Sequence, residues 1–101
     1  MRNWRRHVKI LADSVRRLIP DVEVYVFGGA AEDRLTVLSD IDFLVVVDRS
    51  MKPAEKRRLR ADIIWDAVKD GFPWDYPIDI HIVSRKDLGD YQRYIKRSVK
   101  V

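Results

Sequence analysis

The segment that most narrows the folds open to this chain is Ile41-Asp42-Phe43-Leu44-Val45-Val46-Val47, its most apolar stretch. It is too short for a buried helix and rich in β-branched residues, so it reads as a central strand. A central strand needs neighbours, and two further segments qualify. Residues 22–27 (VEVYVF) are β-branched and aromatic with a period of two, and Gly28-Gly29 punctuates their end. Residues 78–83 (IDIHIV) alternate apolar side chains with Asp79 and His81.

Helical spacing fills the rest. From Trp4, apolar residues fall at Val8, Leu11, Ala12, Val15, Leu18 and Ile19, one stripe of a helix that Pro20 ends. A second helix is expected from a cap at or beside Ser50, with Pro53 in its first turn, Leu59, Ile63, Ala67 and Val68 inward, and Gly71 as its stop. Ser84, with Asp87 three residues on, resembles a capping box for a final helix carrying Leu88, Tyr91, Tyr94 and Ile95. Residues 30–38 read as a helical turn and then a loop. With no repeat, linker or low-complexity tract, residues 1–101 are expected to form a single α/β (α+β) domain, a small mixed sheet of about three strands flanked by helices.

Composition removes several function classes. Zero cysteines excludes disulfides, thiolate nucleophiles and cysteine zinc sites, and agrees with a reducing cytoplasm. No apolar run reaches the roughly 20 residues needed to span a bilayer, and the basic start lacks the features of a secretory signal. The net charge of +4 invites a polyanion, but it is unevenly spread. Residues 21–48 hold seven acids and one base, against six bases and one acid in 1–20 and six bases and two acids in 85–100. One Asn and one Gln among abundant Arg and Lys suit a heat-adapted protein.

The acids concentrate where chemistry is expected. Asp40 and Asp42 open the most hydrophobic strand, and side chains two apart share a face about 6.5 Å apart. Like charges at the edge of a core are costly unless a cation or hydrogen bonds compensate. Mg²⁺, which takes one or two carboxylates plus substrate phosphates, is one answer. If the strand of Asp79 lies beside that of Asp42, three carboxylates converge and can hold two ions for an in-line phosphoryl displacement. Gly28-Gly29 at a strand end lets backbone N–H groups approach an anion. His81 shares a face with Asp79 and reads first as a hydrogen-bonded structural residue, second as a ligand or proton acceptor. His7 is expected at the surface, Ser39 as a turn residue ordering the Asp40 loop, and Trp65, Trp74 and Tyr76 as core packing or an interface.

Gly28-Gly29, ten residues, then Asp40-Ile41-Asp42 resembles the Gly-Ser-x10-Asp-x-Asp signature of the polymerase β-type nucleotidyltransferase superfamily. The preceding strand, SDIDFLVVV and the third acid in PIDIHIV are similar to the minimal nucleotidyltransferases, often paired with a HEPN protein. The resemblance covers the chain and implies transfer of a nucleoside monophosphate from an NTP, with ATP the first candidate, to an acceptor. It implies Asp40, Asp42 and Asp79 as catalytic metal ligands for Mg²⁺ or Mn²⁺, and Gly28, Gly29, Ser39 and Arg34 at the nucleotide phosphates. In relatives that act as antitoxins the acceptor is a tyrosine of the HEPN toxin. Gly29 stands where the family has Ser, Ala30 and Glu32 replace basic residues, and Asp33 replaces a glycine. These departures keep open a non-catalytic regulatory subunit of a HEPN partner. At 11.9 kDa a partner or a homo-oligomer is expected to complete the site. The basic tracts KPAEKRRLR and YQRYIKRSVK keep a small nucleic-acid binder as a third, less favoured reading.

Overall fold

A computed structural model describes residues 4–27, 41–91 and 99–101. The described elements run α1 (Trp4–Leu18), β1 (Glu23–Phe27), β2 (Ile41–Val47), α2 (Pro53–Lys69), β3 (Ile78–Ser84), a 3₁₀ helix (Arg85–Tyr91) and β4 (Val99–Lys100). The expected third helix is therefore, in its described part, a 3₁₀ helix ending at Tyr91, while Tyr94, Ile95 and residues 30–38 lie outside the described residues. Gly89 inside that segment disfavours an α-helix, and the Ser84 hydroxyl donates to the Asp87 carboxylate at 3.0 Å at its start.

The sheet has the order β3-β2-β1-β4, one short strand more than the sequence suggested. β1 pairs antiparallel with β2 and with β4, and β2 pairs parallel with β3. A parallel neighbour requires a crossover, and α2 provides it. The cap of α2 is Lys52, not Ser50, with Pro53 as the first helical residue. The Lys52 N–H donates to the Glu55 carboxylate at 3.2 Å, satisfying a donor that the helix start leaves open. At the far end Gly71 N–H reaches the Val68 carbonyl and Phe72 N–H the Ala67 carbonyl, both at 3.1 Å. That is a Schellman closure, and Gly71 supplies the left-handed φ of 100° that it needs. The α1–β1 corner uses a non-glycine residue instead, Asp21 at φ 61°.

Both helices cover one face of the sheet. Val8, Leu11, Ala12 and Val15 of α1 and Ile63 and Ala67 of α2 pack on Val24, Val26, Ile41, Phe43, Val45, Val47, Ile80 and Ile82. Leu44 and Val46, pointing the other way, are also fully buried, against Val83 with Tyr25 and Leu88 beside them. A strand buried on both faces has no position for alternation, which explains the continuous apolar run of β2. Arg17 clasps the helices together, donating to Asp66 at 2.6 Å, Asp70 at 2.5 Å and the buried Ser14 hydroxyl at 3.0 Å.

Side-chain placement revises the expectation for His7 and separates Tyr76 from the two tryptophans. His7 is not at the surface: it is half-buried in edge-to-face contact with Tyr76 (4.7 Å) and Phe72 (6.3 Å). Trp65 and Trp74 are not core residues, with 70% and 79% of their surfaces exposed. Tyr76 turns inward to pack against the core while both tryptophans point out.

Candidate functional site

Asp42 is the one charged residue of β2, at its second position. The strand pairing sets Asp42 directly opposite Asp79 of β3. The Ile41 N–H donates to the Pro77 carbonyl at 3.0 Å, which holds the two strand starts level. In this register Ile41, Phe43, Ile80 and Ile82 fill the helix-covered core, so by alternation Asp42, Asp79 and His81 all stand on the opposite face.

The three side chains meet there. His81 Nε2 lies 3.3 Å from Asp42 Oδ1 and 3.4 Å from Asp79 Oδ2. One ligand atom from each residue falls within 4.8 Å of the other two. Asp42 and His81 are about one-third exposed and Asp79 more so, at 61%, because β3 is the outer strand at that end of the described sheet. Exposure on this side leaves the cluster open to solvent, while Leu44 and Val46 form an apolar floor next to it.

Two carboxylates and an imidazole facing one point are a donor set for a divalent cation. The repulsion between Asp42 and Asp79 is what such an ion would relieve, and His81 meets part of that need by hydrogen bonding. The residues present therefore fit a metal. A groove of about 360 Å³ runs beside Asp79 between α2 and β3, walled by Arg60, Ile64 and the exposed Trp65.

A second polar group occupies the opposite end of the sheet. Arg85 donates to Glu23 at 3.0 Å and to Asp48, and the Tyr25 hydroxyl donates to Glu23 at 2.7 Å. The Tyr25 and Arg85 hydrogen bonds hold the Glu23 carboxyl below its ordinary range, and the same Glu23 bond pushes the Tyr25 phenol up. Every acid in this group has a described donor, so it reads as a strap joining β1, β2 and the 3₁₀ helix.

Of the residues expected at the site, Asp42 and Asp79 are brought together. Asp40, Gly28, Gly29, Arg34 and Ser39 lie outside the described residues, as do Ala30, Glu32 and Asp33. His81, expected first as a hydrogen-bonded residue and second as a ligand or proton acceptor, stands at hydrogen-bond distance from Asp42. Its signal was the two-residue spacing from Asp79, which becomes a shared site only once β3 is known to lie parallel to β2.

A search of curated proteins returns no match to this chain. Residues 8–100, however, match the family described as Nucleotidyltransferase domain. The match begins inside α1 and runs through all three strands that build and flank the carboxylate cluster, and the α+β fold agrees with it. The chain accordingly belongs to the nucleotidyltransferase domain family.

Proposed function

We propose that this chain transfers a nucleoside monophosphate from an NTP, ATP being the first candidate, to a hydroxyl acceptor. The observation that carries this reading is the Asp42–Asp79 register pair on parallel strands within a nucleotidyltransferase domain. In the reaction the acceptor oxygen bonds to the α-phosphorus, the bond to the β-phosphate oxygen breaks, and pyrophosphate leaves. The acceptor proton passes to solvent or to a nearby carboxylate.

Asp42 and Asp79, with Asp40 of the same Asp-x-Asp motif, would hold divalent cations, Mg²⁺ or Mn²⁺. Bound there, such cations supply charge stabilisation to the attacking and leaving oxygens. The chain's own contribution is to keep the carboxylates in fixed register on a rigid sheet, so that no reorganisation is needed at the moment of transfer. Gly28-Gly29 would bring backbone N–H groups to the phosphates, with Arg34 and Ser39 beside them.

Replacing Asp42 by Asn keeps size and hydrogen bonding while removing the charge. With α-labelled ATP and Mg²⁺ or Mn²⁺, Asp42→Asn should lower transfer by at least about 100-fold with an unchanged circular dichroism spectrum. Transfer at the wild-type rate would defeat the assignment.

A second reading rests on Gly29, Glu32 and Asp33, which replace a hydroxyl, a base and a glycine of the family motif. It makes the chain a regulatory subunit that binds a HEPN-type protein without turnover. Absence of labelled product with such a partner present, alongside stable co-purification, would favour it.

A further inference from the structure

We infer that His81 is a direct ligand of the metal site, and that the site consequently selects a first-row transition-metal dication over Mg²⁺. This rests on the metal-dependent reading above and refines it. Mg²⁺ demands oxygen donors, whereas imidazole favours the transition metals.

The distances support ligation. Two donor atoms each about 2.1 Å from a common ion lie about 3 to 3.4 Å apart for octahedral to tetrahedral angles. His81 Nε2 already stands at 3.3 Å from one carboxylate oxygen of Asp42 and 3.4 Å from one of Asp79. All three donor atoms fall within 4.8 Å of one another. The backbone supports the same arrangement: Asp79 and His81, two apart on β3, stand on the same face as Asp42, and the register partner of His81 on β2 is the buried Leu44 beside it. The imidazole has its Nε2 within reach of both carboxylates.

The test uses Mn²⁺, which accepts both oxygen and nitrogen donors and is paramagnetic. Spin-echo modulation spectra of Mn²⁺ bound to the wild-type protein should show coupling to a ¹⁴N nucleus. That coupling should vanish in His81→Gln, with Mn²⁺ affinity falling at least about tenfold. His81→Asp, which restores an all-oxygen set, should bind Mg²⁺ as well as the wild type or better and lose the preference for Mn²⁺. The wild-type spectrum decides the matter even if a variant fails to fold. Mn²⁺ bound through Asp42 without nitrogen coupling, or a Mn²⁺ to Mg²⁺ ratio equal in wild type and His81→Asp, would overturn the ligand role and leave the transferase reading standing. Metal binding indifferent to Asp42→Asn would overturn both.

Discussion

Arg17 shows how one side chain can tie two helices. Its guanidinium bridges Ser14 on its own helix to Asp66 and Asp70 on α2, and the Arg17 and Ser14 hydrogen bonds lower the Asp66 carboxyl. Glu23 is lowered likewise by Tyr25 and Arg85. A carboxylate whose folded pKa is depressed stabilises the fold above its ordinary pKa, and that contribution disappears as pH falls through the folded value. Thermal melts from pH 7 down to pH 3 should therefore show Asp66→Asn and Glu23→Gln starting lower than wild type at pH 7 and losing less on acidification. Tyr25 acts with the opposite sign, since a raised phenol pKa contributes below the ordinary value near 10 and is lost above it. Buried polar atoms give a further test. The Tyr76 hydroxyl is buried with no hydrogen-bond partner among the described residues, and burial alone pushes its pKa up. Such a group costs desolvation free energy without return. Tyr76→Phe should leave stability unchanged or raise it by up to about 1 kcal/mol in urea titration.

At the scale of elements, the two chain reversals out of helices use different chemistry for the same backbone demand. Gly71 adopts φ 100° after α2, and a Cβ built there would meet nothing within 4 Å. The cost of a side chain at this position is thus backbone strain, not a clash. Gly71→Ala should destabilise by about 1 kcal/mol, measured as a shift in urea midpoint at constant m-value. Asp21, at φ 61° after Pro20, already bears such strain, and Asp21→Gly should be neutral or stabilising by up to about 1 kcal/mol. The sequence announced Gly71 as a stop through its residue type. It was silent on Asp21, because aspartate occupies ordinary turns as readily as left-handed ones.

Across the whole molecule, β2 is the element on which both halves depend. Phe43 is fully buried beneath the helices, and Leu44 is fully buried on the other face. Phe43→Ala should cost about 3–5 kcal/mol, a large part of the stability of a small domain, and should abolish any transfer activity by unfolding, as circular dichroism would report. Asp42→Asn separates from this cleanly because its side chain is half-buried and outside either core cluster.

Local pattern determined most of the elements by itself. Period two marked β1 and β3, period 3.6 marked α1, an unbroken β-branched run marked β2, and proline and glycine marked the ends of both helices, because these signals depend on neighbours within a few residues. The carboxylates stood out for the same reason: Asp42 is a charge inside an apolar run, and Asp79 breaks another. What tertiary structure decided was partnership. The parallel register that sets Asp79 against Asp42 and swings His81 into reach is a property of two strands 37 residues apart in sequence, joined across α2. So are the burial of His7 against Phe72 and Tyr76 and the outward turn of Trp65. Strand order and helix rotation are set by how the whole core packs, and no window of local sequence contains that information.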